Sequence, residues 1–196
     1  MERLGILSGS FNPPTIAHVE LLRAAQPFVD RLHCVVPRVF PHKDFFGATL
    51  EQRLEMVRLA TRELDCSVAP TDHGLFVEIA REYREKHGRD ARLFFLCGAD
   101  AAERVIGWDY GEPGFVERMF GELELLVAPR KGEYLPPDHL RERVHALRME
   151  DDHHSVSSTE VRERIARGEQ WEYLVPESIV EMARAIYPKN AGAMAG

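Results

Sequence analysis

The sequence predicts a single α/β domain in which helices cover both faces of a doubly wound parallel sheet. Short apolar runs take turns along the chain with longer amphipathic stretches, and most of the runs are continuously apolar. No internal repeat or linker divides the chain. With 196 residues, 44% of them hydrophobic, the chain can bury one substantial core.

The predicted strands are short and mostly lack an alternation of polar and apolar residues. Strands buried on both faces of a parallel sheet read in this way, because helices take the place of solvent on each side. They are predicted over residues 4–7, 32–36, 66–69, 93–97, 123–128 and 144–147.

The predicted helices fill the intervals between the strands. In the second of them, Leu50, Leu54, Val57 and Ala60 recur at helical spacing, which indicates a face turned to the core. Helices are predicted over residues 15–25, 50–64, 74–87, 99–106, 158–166 and 176–186. Residues 1–188 are expected to form the domain, and 189–196, which show no pattern, a flexible tail.

The composition narrows the range of functions. The formal charge is −7 and neither sign forms a long block, which argues against a nonspecific nucleic-acid binder. Neither a signal peptide nor a membrane span is evident, so a cytoplasmic protein without nucleic-acid or membrane partners is expected. The apolar neighbours of Cys34, Cys66 and Cys97 indicate reduced core thiols.

The loop after the first strand is the first place to look for chemistry, because ligands of an open parallel sheet bind outside the carboxyl ends of its strands. Residues 8–18 read SGSFNPPTIAH and lead straight into a helix. Gly9 permits close approach of a ligand, Thr15 can cap the helix, and the helix N-terminus attracts an anion. His18 follows within the first turn. The alternative is that Thr15 only caps the helix and His18 is an ordinary hydrogen-bonded histidine.

A second candidate site lies near the C-terminus, where residues 156–162 read VSSTEVR. Ser157 and Glu160 have the spacing of a capping box, which predicts a helix start. Hydroxyls, free amides and Arg162 one turn later suit a polyphosphate. The alternative is a well-capped surface helix with an exposed arginine.

Together, these two segments resemble the signatures of the nucleotidyltransferase superfamily. Residues 9–18 resemble its His/Thr-x-Gly-His motif, with Thr15 and His18 at the two polar positions, and residues 157–162 resemble its Ile-Ser-Ser-Thr-x-x-Arg motif. Three residues depart from the pattern of bacterial members: Ala17 stands for Gly, Ser8 for Gly and Asn12 for Asp. The resemblance implies a Rossmann-like fold.

The middle of the chain resembles the bacterial nicotinate mononucleotide adenylyltransferases of that superfamily. The matching features are a Pro-His-Lys segment ending at Lys43, Arg53, a Gly-x-Asp ending at Asp100, Trp108, and a turn that contains Arg130. The first four also have a plain structural interpretation: a solvated loop lysine, an exposed helical ion pair at Arg53, a first-turn helix acid and a core tryptophan.

The resemblance implies adenylyl transfer from ATP to nicotinate or nicotinamide mononucleotide, giving a dinucleotide and pyrophosphate, with Mg²⁺ carried by the substrate phosphates. It assigns catalysis to His18, Thr15 and Arg162, ATP binding to Gly9, Ser10, Phe11, Ser157, Ser158 and Thr159, and acceptor binding to Lys43, Asp100, Trp108 and Arg130. It implies no protein ligand to a metal.

One departure leaves the acceptor open. Where the resembled enzymes carry a Ser-Tyr-Thr run, this chain has Leu75 and Phe76, which offer no hydroxyl. Two alternatives therefore remain: another transferase of the superfamily, such as a pantetheine-phosphate adenylyltransferase or a cytidylyltransferase, or a catalytically silent nucleotide-binding module. Phe45 and Phe46 suit either a lid over substrate or the contact of a homo-oligomer.

Overall fold

A computed structural model describes residues 1–38, 47–129, 134–148 and 156–188. Its centre is one six-stranded sheet with the order β3-β2-β1-β4-β5-β6, in which every pair of neighbours is parallel. The predicted doubly wound sheet is thus confirmed. The strands are β1 (Arg3–Ser8), β2 (Arg31–Pro37), β3 (Cys66–Thr71), β4 (Arg92–Gly98), β5 (Glu124–Ala128) and β6 (Val144–Ala146).

Helices cover both faces of this sheet. They are α1 (Ile16–Ala25), α2 (Leu50–Ala60), α3 (Phe76–His87), α4 (Ala99–Gly107), α5 (Phe115–Glu122), α6 (Ser158–Arg167) and α7 (Val180–Ile186). Short 3₁₀ turns lie at Gln26–Phe28, Asp138–Leu140, Glu172–Leu174 and Glu177–Ile179. None of the described helices has both the length and the apolar character needed to cross a bilayer.

The buried apolar side chains form three clusters. One joins the sheet to α3, α4 and α5, and a second joins its other face to α1 and α2. The third lies beyond α2 and contains Met56 of α2, Val161 and Ile165 of α6, and Ala183 of α7. Through this third cluster, the C-terminal helices pack against the layer that carries the first loop.

The sequence missed one helix and misplaced the bounds of two others. Helix α5 was not expected, because only Met119 and Phe120 in it are buried, Gly114 precedes it and Gly121 lies within it. The helix predicted over 50–64 ends at Ala60, where the Thr61 hydroxyl donates to the carbonyl of Val57 over 2.9 Å. The last helix begins only at Val180, after a 3₁₀ turn.

The cysteines agree with the prediction of free thiols. Cys34 and Cys97 are buried, whereas Cys66, on the edge strand β3, is only partly buried. The predicted tail over 189–196 lies outside the described residues.

Candidate active site

The candidate site lies where the chain changes direction across the sheet. From β1 the chain continues to β2 on one side, and from β4 it continues to β5 on the other. The carboxyl ends of β1 and β4 are neighbours, since Ile6 pairs with Phe95. The first loop and the start of α4 therefore border the crevice in which open α/β sheets bind ligands.

The first loop, residues 8–15, is fastened at the carboxyl end of β1 by a backbone hydrogen bond and by a buried side chain. The Gly9 amide donates to the Val35 carbonyl over 3.2 Å. Phe11 has a left-handed backbone (φ 47), and its side chain is buried with its ring centroid 5.1 Å from that of His18. Because this side chain points into the core, ATP could reach only the backbone of Phe11.

Thr15 and His18 form a hydrogen-bonded pair at the start of α1. The Thr15 amide donates to Nδ1 of His18 over 2.9 Å, and the Thr15 hydroxyl lies 2.9 Å from the same nitrogen. A backbone amide can only donate, so Nδ1 is the acceptor and the proton of the neutral ring resides on Nε2. Thr15 itself is fully buried, so in this structure it orients His18.

The charge state of His18 follows from its surroundings. The residue keeps some exposed surface, but protein encloses most of the ring, and this burial lowers the pKa of His18 from 6.5 to about 4. At neutral pH the free protein therefore presents an uncharged imidazole with an N–H donor at Nε2.

The two motif segments, far apart in sequence, are in direct contact. The Ser158 hydroxyl donates to the Pro13 carbonyl over 2.7 Å, and the Arg162 guanidinium donates to the Asn12 carbonyl over 2.6 Å. These predicted phosphate-binding side chains thus also fix the first loop.

The start of α6 agrees with the predicted cap in part. The Ser157 hydroxyl accepts from the Glu160 amide over 3.1 Å, but the Glu160 carboxylate pairs with Arg164 over 3.0 Å instead of completing a capping box. Thr159, which is exposed, accepts from Arg162 over 3.3 Å.

Arg53 is a buried side chain that supports the first loop through hydrogen bonds to backbone carbonyls. It is buried, which excludes the exposed ion pair considered from the sequence, and its guanidinium donates to the carbonyls of Ser10 (3.2 Å) and Pro37 (3.3 Å). Burial lowers the pKa of Arg53 from 12.5. Arg53 thereby joins the first loop to the carboxyl end of β2.

On the other side of the crevice, Asp100 and Trp108 border one open concavity of about 640 Å³, together with Glu103, Arg104 and Gly107. Trp108 is 59% exposed, so the core tryptophan considered from the sequence is excluded. Asp100 lies in the first turn of α4 and is exposed. An accessible aromatic face beside acidic and basic groups suits a flat ring carried on a sugar phosphate.

The segment that departs from the resembled enzymes begins α3. Leu75 is the N-cap and is 47% exposed, and the Glu78 carboxylate accepts from its amide over 3.2 Å. Phe76 stacks on Phe95 of β4, with 4.7 Å between ring centroids. Phe76 thus supports the sheet, whereas Leu75 offers an accessible apolar surface.

Lys43 and Arg130, like Phe45 and Phe46, lie outside the described residues. Within the described ranges, no three His, Cys, Asp or Glu side chains are grouped to bind a metal. Sequence reasoning missed Tyr187, which donates to the Asn12 side chain from 175 positions away, and no local pattern could reveal this contact.

Comparison with known proteins places these observations in a family. Residues 6–164 match the family model described as cytidylyltransferase-like. The chain is similar to a probable nicotinate-nucleotide adenylyltransferase of Gloeobacter violaceus, at 32% identity over 98% of this chain and 99% of that protein. It is also similar to one of Exiguobacterium sibiricum, at 30% identity over 92% of this chain and 95% of that protein.

A solved structure shows the same fold. Nicotinic acid mononucleotide adenylyltransferase of Plasmodium falciparum, complexed with NaAD, superposes with a TM-score of 0.72 over 94% of this chain and 97% of that chain. The sequences are 14% identical, so this likeness concerns the architecture alone.

Proposed function

Since this chain belongs to the cytidylyltransferase-like family and matches nicotinate-nucleotide adenylyltransferases along nearly its whole length, we propose that it transfers the adenylyl group of ATP to nicotinate mononucleotide. The products are the dinucleotide and pyrophosphate. One observation of the site carries the proposal. The Thr15 amide donates to Nδ1 of His18, so the uncharged ring keeps its N–H donor at Nε2, near the carboxyl ends of β1 and β4, where the chain changes direction across the sheet.

The reaction requires no nucleophile from the protein. A phosphate oxygen of the mononucleotide attacks the α-phosphorus of ATP, a new P–O bond forms, and the bond to the β-phosphate oxygen breaks as pyrophosphate leaves. The contribution of the protein is to align the two phosphates and to stabilise the negative charge that develops between them.

His18 supplies part of that stabilisation in the proposed mechanism. Its Nε2–H donates to an α-phosphate oxygen, and because the pKa is about 4, it does so as a hydrogen-bond donor and not as a general acid at neutral pH. The Gly9 amide already donates to the Val35 carbonyl, so the backbone at Gly9 and Ser10 is proposed to allow close approach of ATP. The start of α6, which contacts the first loop through Ser158, is proposed to supply further backbone donors to phosphate oxygens.

The acceptor is proposed to bind across the crevice, at the start of α4. Trp108 offers an exposed ring, which is proposed to stack on the pyridine, and the exposed Asp100 on the same concavity is proposed to accept from ribose hydroxyls. Lys43 and Arg130 are proposed to meet acceptor phosphate charge, by the family resemblance alone.

Magnesium is proposed to arrive with ATP. Mg²⁺ keeps most of its waters and binds readily through substrate phosphates, so it requires no acidic cluster in the protein. When bound, the ion supplies positive charge to the triphosphate.

The test is pyrophosphate release from magnesium ATP, with nicotinate mononucleotide, nicotinamide mononucleotide and phosphopantetheine offered separately and the product identified by mass. The proposal expects release with nicotinate mononucleotide and a dinucleotide product. Release only with phosphopantetheine, or ATP binding without release with any acceptor, would refute it.

A further inference from the structure

Asn12 is the point at which three parts of the chain are joined. Its side chain is buried, and Oδ1 accepts from the Ala48 amide over 3.3 Å and from the Tyr187 hydroxyl. Its backbone carbonyl accepts from Arg162. Because the Ala48 amide can only donate, the atom that faces both partners must be the oxygen of the Asn12 amide.

Tyr187 reaches this point from the end of α7. Its ring belongs to the third core cluster, and burial raises the pKa of Tyr187, so the hydroxyl stays protonated and acts as the donor. The hydroxyl is the polar tip of an otherwise apolar, buried side chain. Packing alone would be satisfied by phenylalanine.

Gly47 lies directly against the side chains of Asn12 and Tyr187. It has a left-handed backbone (φ +104), and a Cβ there would lie 3.0 Å from Oδ1 of Asn12 and 3.0 Å from Cε1 of Tyr187. A side chain there would strain the backbone and crowd both residues. The backbone at Gly47 and Ala48, which leads into α2, is thus fitted to the pair formed by Asn12 and Tyr187.

The position of Asn12 matters for the catalytic geometry because its neighbours on either side reach the site. Phe11 packs its ring against His18, and the Pro13 carbonyl accepts from Ser158 of α6. A shift of Asn12 would move the surface that supports the His18 ring and the contact between the two motifs.

We propose that Tyr187 is a positioning residue for adenylyl transfer: its hydroxyl holds Asn12, and thereby fixes the first loop relative to α6 and to the start of α2. The inference rests on the proposed function. Tyr187 acts through Asn12 and touches no reacting atom. Its loss should therefore lower turnover much more than acceptor affinity.

The experiment compares Tyr187→Phe with the wild type in steady-state pyrophosphate release, at a temperature where circular dichroism shows both folded. We expect kcat to fall roughly tenfold to a hundredfold, as for a loop displaced by a fraction of an ångström, with the acceptor KM changed less than about twofold. The control is Tyr173→Phe, which removes the hydroxyl of an exposed tyrosine in the same C-terminal region and should match the wild type.

A double-mutant cycle gives the second readout. Asn12→Ala removes the acceptor, so adding Tyr187→Phe to it should have little further effect on kcat. If Tyr187→Phe fails to fold, Asn12→Ala alone must show the same fall in kcat. Additive effects, or kcat within twofold of the wild type for Tyr187→Phe, overturn the positioning role. A wild type silent with every acceptor would instead refute the proposed function.

Discussion

The hydroxyl of Ser158 donates a hydrogen bond of 2.7 Å to the carbonyl of Pro13, so the second motif of the chain holds the first in place. The two residues lie 145 positions apart. Packing of α6 and α7 against α2 brings them together, which makes the integrity of the first loop depend on the C-terminal third of the chain.

Ser158→Ala tests this contact. The variant should lose about 1 kcal/mol of unfolding free energy, because one part-buried hydrogen bond is lost, and its kcat should fall about tenfold as the loop relaxes. Urea unfolding and pyrophosphate release measure the two effects. Ser178→Ala is the matched control, since Ser178 also donates to a part-buried carbonyl, that of Leu59, over 3.0 Å but lies outside the candidate site. Equal kcat for the two variants would remove Ser158 from the site.

Replacing His18 by alanine should lower kcat by about two orders of magnitude, because the N–H donor to the α-phosphate is lost while α1 keeps its packing. The circular dichroism spectrum should be unchanged. His139→Ala, which removes an exposed imidazole, should leave kcat at the wild-type value. Turnover of His18→Ala close to that of the wild type would contradict the proposed mechanism.

The pH dependence of stability has a definite sign. Folding lowers the pKa of His18 from 6.5 to about 4, so between these values the unfolded chain binds more protons than the folded one, and stability is lost as the pH falls from about 6.5 towards 4. Burial also lowers the pKa of His33 to about 4, which adds to the same loss of stability. The free energy of unfolding, measured with urea at pH 7.5 and pH 5, should therefore differ less between the two pH values for His18→Gln than for the wild type. An equal difference would show that His18 titrates normally in the folded protein.

Arg53→Lys should destabilise the protein and impair catalysis, because an ammonium group cannot span the Ser10 and Pro37 carbonyls as the planar guanidinium does. We expect a loss of about 2 kcal/mol in unfolding free energy, by analogy with hydrogen bonds to charged groups, and a lower kcat. Arg58→Lys, on the same helix, alters an exposed pair with Glu55 and should change stability by less than about 0.5 kcal/mol. Similar losses in both variants would refute the role of Arg53 in supporting the first loop.

Trp108→Ala should raise the KM for nicotinate mononucleotide about tenfold and leave the KM for ATP unchanged, because stacking of an aromatic side chain on a base contributes on the order of 1–3 kcal/mol. Trp108→Phe should retain most of the affinity. Tyr173→Ala, which removes another exposed aromatic ring, serves as the control. An unchanged acceptor KM in Trp108→Ala would place the pyridine ring elsewhere.

Much of the fold could be predicted because its signals are local. The continuously apolar run at residues 93–97 indicates a strand covered on both faces, and the structure buries all five of these residues. Helix α5 escaped prediction because it is short and has few buried positions. At the site, Gly9, Thr15 and His18 form a local pattern at a strand exit, whereas Tyr187 follows the ordinary mixed polar and apolar sequence of α7, which carries no such pattern.

The sequence by itself determined the alternation of strands and helices, the two motif segments and the family, because these depend on residue type and spacing along the chain. Only the tertiary structure decided that Arg53 is buried, that Trp108 is exposed, and that Ser158, Arg162 and Tyr187 converge on Asn12 and Pro13. The physical reason is that burial and hydrogen-bond partners arise when distant segments pack together. A buried donor must find an acceptor wherever packing places one, whatever its distance along the chain.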